Sequence, residues 1–196
     1  MELIKRYPQL KECAESIGKA LDLIIDTYEN GGKILLCGNG GSAADCEHIA
    51  GELLKGFMMK REVSDERIPN ELREKLQGGL PAISLVSQSA ILTAFANDVD
   101  PSMMYAQLVY AYARENDLLV ALSTSGNSGN VVNAVKTAKA IGIPVISLTG
   151  EKESLMSELS DVTIRVPEHE TYKVQELHLP IYHYLCAETE KYFFGK

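Results

Sequence analysis

At 196 residues with 45% apolar side chains, the chain has the length and hydrophobic content for one domain with a sizeable core. A formal net charge of −8 without Lys/Arg-rich runs argues against a nucleic-acid footprint but leaves room for a small anion held by backbone amides. Residues 1–33 contain no apolar run with the length of a signal peptide or membrane span, and Cys13, Cys37, Cys46 and Cys186 include no C-x-x-C pair, which points to reduced thiols in a cytoplasmic protein.

Residues 9–29 place Leu10, Cys13, Ile17, Leu21, Ile24, Ile25 and Tyr28 at three- and four-residue intervals, an N-terminal helix with one apolar stripe. "NGGK" ends it. "KILLCG" (33–38) then reads as a short buried strand, and "SAADCEHIAGELLKG" as a helix capped by Ser42. Residues 57–80 are charged and mixed and contain Pro69; they read as a long loop, either lid-like or a plain solvated excursion, with a short helix at 69–77. Strand-like runs return at "PAISLV", "DLLVALS", "IPVISLTG" and "DVTIRVP", and helical patterns fall at 88–96, 102–114, 128–141 and 152–158. The last stretch, "TYKVQELHLPIYHYLCAETEKYFF", is helical by pattern, with Pro180 expected to kink or delay it. Strands alternating with helices predict an α/β domain around a mostly parallel five-stranded sheet.

Two turns stand out. "CGNGGS" (37–42) and "STSGNSGN" (123–130) each follow a buried strand and open a helix, the position where parallel sheets bind ligands. Glycines let the backbone approach closely, Ser123, Thr124, Ser125 and Ser128 offer hydroxyls, and a helix start supplies positive potential. That chemistry suits a phosphomonoester. The spacing is neither a dinucleotide fingerprint nor a Walker loop.

Just beyond the first turn, His48 and Glu52 are four residues apart and share a helix face. The pair suits two ligands of a divalent metal, an acid–base couple, or a plain surface contact. Gln175, Glu176, His178 and His183 lie on the final helix. Gln175 and His183 are separated by eight residues, roughly 12 Å of rise. For both to reach one centre, long side chains must converge, Pro180 must bend the helix, or the two must come from different subunits. His169, in "PEHET", reads as an exposed loop residue.

Taken together, "CGNGGSAADCEHIAGEL", "AND", "LVALSTSGNSGNVVNAVKTAKAIGIPVISLTG" and "VQELHLPIYH" resemble the sugar-isomerase (SIS) family from about residue 10 to 190. The resemblance implies a three-layer α/β/α sandwich of flavodoxin-like type and a homotetramer with active sites at subunit interfaces. It implies sugar-phosphate contacts at Asn39, Gly40, Gly41, Glu52, Asn97, Asp98, Ser123, Thr124, Ser125, Ser128 and Gln175, and a Zn2+ site at His48, Glu52, Gln175 and His183. The reaction implied is aldose–ketose isomerisation through an enediol, sedoheptulose 7-phosphate to D-glycero-D-manno-heptopyranose 7-phosphate. Glu52 is its expected base and His183 the partner acid–base, with Asp98 assisting ring opening. Rival expectations are an isomerase of another sugar phosphate and a non-catalytic SIS relative that contacts a replication-initiation protein. Three departures bear on the substrate: the long 57–80 segment, Gly56 where the family has a basic residue, and Tyr172 where relatives carry an acid.

Overall fold

The computed structural model describes residues 1–195. Five strands, β1 (Ile34–Gly38), β2 (Ala82–Ser84), β3 (Leu118–Leu122), β4 (Val145–Thr149) and β5 (Val162–Arg165), form one sheet in the order β2-β1-β3-β4-β5. All four pairings are parallel. The strands β1, β3 and β4 are buried along their whole length, as expected of a parallel sheet covered on both faces.

Alternation along the strands divides the core in two. Ile34, Leu36, Leu118, Val120 and Leu122 pack on one face with α2 (Ala14–Glu29), α3 (Gly41–Leu54) and α9 (Thr171–Phe194). Leu35, Cys37, Leu119 and Ala121 pack on the other with α6 (Met104–Tyr112), α7 (Gly129–Ala140) and Met156 of α8 (Leu155–Leu159). Each fully buried leucine or isoleucine here contributes about 1.5–3 kcal/mol. The result is the expected α/β/α sandwich. All four cysteines are buried and free.

Local details differ from the sequence reading. The N-terminal helix divides into α1 (Glu2–Arg6), a 3-10 turn over Pro8–Cys13 and α2. The residue before α3 is Gly40, at φ 57°, and Ser42 is a buried helical residue rather than the cap. A positive φ at that position favours glycine over serine. Pro180 does not delay or interrupt the helix: α9 runs 24 residues through it, its apolar side packed against the sheet and α3. The loop expected over 57–80 contains one helical turn, α4 (Asn70–Arg73).

That loop is tied at its base. Arg61 and Glu190, both fully buried, form an ion pair at 2.8 Å. The Arg61 guanidinium also donates to the Leu53 and Glu52 carbonyls at 2.6 and 2.9 Å, the last turn of α3. Glu190 accepts the Phe57 and Met58 N–H groups, each at 2.7 Å. Burial alone would raise the Glu190 pKa, but these N–H donors and the guanidinium hold it below the usual carboxylate range.

Candidate active site

The two glycine–serine turns meet at the carboxyl ends of β1 and β3. They enclose a pocket of about 260 Å³ lined by Asn39, Gly40, Gly41, Ser42, Ser123, Thr124, Ser128, Thr171 and Gln175. The residues preceding α3 and α7, Gly40 and Ser128, make no side-chain cap, while within the first turn of α7 the Val131 N–H donates to Asn130 Oδ1 at 3.0 Å. Their amino ends bring the positive potential of two helix starts to the pocket. Ser123 Oγ lies 3.0 Å from Ser128 Oγ, and Ser125 Oγ accepts the Asn127 N–H. Gly126, at φ 65°, sits where a Cβ would fall 2.1 Å from Ser154 Oγ. Only glycine permits both this turn and that approach.

Asn39 and Asn130 bridge the two turns, each side chain donating to the other at 2.8 and 2.9 Å. Asn130 escaped the sequence reading because its partner is 91 residues away. Gln175 reaches into this pocket from α9: a Cβ on Gly41 would lie 2.6 Å from its Nε2. Larger hollows, of about 460 and 520 Å³, lie beside the α2–β1 and β3 entry loops and along β5, away from both turns.

A second cluster lies farther along α3 and α9. His48 Nε2 is 3.2 Å from Glu52 Oε1 and 3.4 Å from His183 Nε2. The Tyr182 hydroxyl stands 3.0 Å from Asp45 Oδ1 and 3.1 Å from His48 Nδ1. Phe57 and Tyr182 pack against the His183 ring with centroids 5.6 and 5.0 Å away. This burial lowers the His183 pKa, the neighbouring His48 lowers it further, and Glu52 opposes both. Burial raises the Asp45 pKa against the Tyr182 hydrogen bond and His48. The i, i+3, i+7 spacing of Asp45, His48 and Glu52 is legible in the sequence, but Tyr182 announces itself only through its neighbour.

The structure thus separates the expected site residues into groups. Asn39, Gly40, Gly41, Ser123, Thr124, Ser128 and Gln175 share the first pocket, with Ser125 beside it. His48, Glu52 and His183 form the second cluster, while Gln175 stays beside Gly41. Asn97 and Asp98 are exposed at the end of α5 (Ser89–Asp98), paired with each other at 2.8 Å, and do not line the pocket. His169 is exposed against Glu151.

The donor set bears on a metal. Ligands held about 2.0–2.1 Å from a tetrahedral zinc stand about 3.3–3.4 Å apart; the two contacts made by His48 Nε2, at 3.2 and 3.4 Å, have that spacing. The imidazole and carboxylate types also fit. Among the described residues, however, no group of three or more His, Cys, Asp or Glu is closed around one point.

Comparisons agree with this architecture. The family model described as the SIS domain matches residues 3–150. A phosphoheptose isomerase of Helicobacter pylori (strain Shi470) is 38% identical over 187 residues, 95% of this chain and 89% of that protein. One from Rhodospirillum rubrum is 40% identical over 184 residues, covering 94% and 89%. The solved structure of a phosphoheptose isomerase from Francisella tularensis superposes with a TM-score of 0.82 at 30% identity, covering 95% of this chain and 91% of the other. The chain belongs to the SIS-domain family.

Proposed function

We propose that the chain is a phosphoheptose isomerase, interconverting sedoheptulose 7-phosphate and D-glycero-D-manno-heptopyranose 7-phosphate through an enediol. One observation carries this reading. The same two helices hold an anion-binding pocket at their amino ends, where Gln175 meets Gly41, and an imidazole–carboxylate cluster about two turns along. That is roughly 10–12 Å of rise, the kind of span an open-chain sugar phosphate must bridge.

The serine turn and the helix starts hold the phosphate, and Asn39 to Gly41 orient the sugar. Glu52 moves a proton between C1 and C2 on one face of the opened chain, while His183 exchanges protons with the oxygens. His48, Glu52 and His183 would hold a zinc ion, with Gln175 as fourth ligand only if its side chain leaves Gly41. Such an ion, when bound, supplies a Lewis acid for the carbonyl oxygen. Glu52 cannot serve fully as ligand and base at once, so one of these roles is partial.

Assembly as a homotetramer with interface sites belongs to the same proposal. It is supported by α5, which buries none of its residues in this chain and carries Asn97 and Asp98 away from the chain's own pocket. In that arrangement Asp98 assists ring opening in a neighbour's site. The four free buried thiols suit a cytoplasmic location, and the acidic charge of −8 suits a protein that binds no nucleic acid. No helix among the described residues is long and apolar enough to cross a membrane.

The test is turnover of sedoheptulose 7-phosphate beside a panel of pentose and hexose phosphates. Glu52→Gln and His183→Ala are each expected to lower kcat by about 10²–10⁴-fold. Retention of most activity by both variants rules out the scheme, and preference for a shorter sugar phosphate reassigns the substrate.

A further inference from the structure

We infer that Asn130 is a positioning residue: its carboxamide pairs with that of Asn39, fixes which way the Asn39 amide faces, and holds the two glycine–serine turns in register. This role rests on the proposed isomerase reading, in which both turns grip one sugar phosphate. Strand pairing alone does not set that register. β1 and β3 are joined as far as Gly38 and Leu122. The chain then leaves for opposite faces of the sheet, into α3 on one side and α7 on the other. Beyond the strand ends the side chains of Asn39 and Asn130 span the gap, each amide nitrogen donating to the other's oxygen at 2.8 and 2.9 Å.

Donor counting fixes the orientation of both amides, and no titratable group enters it. A main-chain N–H can only donate. The Val131 N–H lies 3.0 Å from one atom of the Asn130 carboxamide, so that atom is the oxygen. The same oxygen faces Asn39 at 2.8 Å, so the Asn39 atom there is the amide nitrogen. The Asn39 oxygen is then the atom that accepts from Asn130. Asn130 Oδ1 thereby has both lone pairs in use. Asn39 keeps one N–H and one lone pair, and it lines the pocket beside Gly40 and Gly41. A donor and an acceptor in one carboxamide suit a sugar hydroxyl, which can do both. Released from Asn130, the Asn39 amide is free to turn end for end, because its terminal torsion is broad and nearly two-fold.

The experiment is a double-mutant cycle on the full-length protein, with Asn39→Ala, Asn130→Ala and the two together. Asn130→Ala is expected to lower kcat/KM for sedoheptulose 7-phosphate by about tenfold. In the Asn39→Ala background the same substitution is expected to change it by less than about twofold, since its effect runs through Asn39. Affinity for inorganic phosphate, which the serine turn holds, stays within about twofold of wild type. Equal losses in the two backgrounds, or an Asn130→Ala enzyme as active as wild type, overturn the inference. So does a phosphate affinity that falls in parallel, the mark of a residue that merely shapes the start of α7. Side-chain ¹⁵N relaxation reads the pairing without substrate. The Asn39 amide, assigned by its loss in Asn39→Ala, is expected to have an order parameter above about 0.6 in wild type and below it in Asn130→Ala. Equal order in the two proteins overturns the inference. If wild-type protein turns over no sugar phosphate, the isomerase reading fails and the relaxation data decide the pairing by themselves.

Discussion

At the glycine–serine end of the cleft, nearly every group facing the pocket is main chain or a short side chain within a few residues of a strand end. At the other end, the working groups are imidazoles and a carboxylate on two helices, brought together from residues 48, 52 and 183. The first region is pre-built by local geometry: Gly40 and Gly126 at positive φ and the starts of α3 and α7 directly after the two turns. The second depends on how α3 packs against α9 and on what holds them there. One end is therefore robust to distant change, and the other is not.

The largest expected effect breaks that dependence. Arg61→Ala removes the guanidinium that joins Glu190 to the carbonyls of Glu52 and Leu53 and leaves Glu190 buried beside two N–H groups. Loss of one partner of a buried ion pair costs about 3–5 kcal/mol. In a chain of this size, that lowers Tm by about 10 °C. Calorimetry measures it. In the protein that remains folded, kcat is expected to fall while affinity for inorganic phosphate holds, because Arg61 touches the end of α3 and not its start. An unchanged Tm, or weaker phosphate binding with normal kcat, contradicts the division between the two ends.

The next effect is electrostatic and separates α9 from the turns. His178 is fully buried, with Nδ1 unpartnered among the described residues and Nε2 3.3 Å from the Thr149 carbonyl. Burial lowers its pKa to about 4, against about 6.5 in the unfolded chain. Between these values the unfolded chain binds more protons, so stability is whole above the upper limit and is lost as pH falls through the window. The loss approaches about 3 kcal/mol below pH 4. Urea midpoints measured across this range should fall less steeply for His178→Gln than for wild type. Parallel curves would mean that the helix opens and hydrates His178 before the chain unfolds.

These contrasts follow what the sequence displays. "CGNGGS" and "STSGNS" carry their chemistry contiguously, so the strand, turn and helix start are legible together, as are the alternation of strands with helices and the parallel sheet. The i, i+4 pair His48–Glu52 is legible for the same reason. Tyr182 and Asp45 are 137 residues apart, and Arg61 and Glu190 are 129 apart. Nothing local marks an ordinary arginine in a charged loop as the one that will be buried. Ser42 misled because serine is a good cap by propensity. In the fold, Gly38 passes so close to the Ser42 backbone that a Cβ on it would fall 2.8 Å from the Ser42 carbonyl oxygen, and the turn ends at Gly40 instead. The helix expected to be delayed at Pro180 runs through it because the proline penalty of an isolated helix leaves out the packing of Val174, Leu177, Ile181 and Leu185 on the core.

The smallest effect tests the phosphate end by itself. Ser123 is 4% exposed, at the end of β3, with its hydroxyl 3.0 Å from that of Ser128. In the proposed scheme Ser123→Ala removes one donor to the phosphate dianion and leaves the helix start and glycines untouched. A hydrogen bond to a charged group contributes about 1.5–3 kcal/mol, so KM for the sugar phosphate should rise about 10–100-fold. Because the phosphate does not change charge during enolisation, the bond is equally strong in ground and transition states, and kcat should stay within about twofold. Steady-state kinetics on Ser123→Ala beside Glu52→Gln thus gives opposite signatures, a KM effect against a kcat effect. A Ser123→Ala enzyme slowed in kcat at saturating substrate would place the hydroxyl at the reacting carbons, and the two ends would have to be drawn closer together than the structure has them.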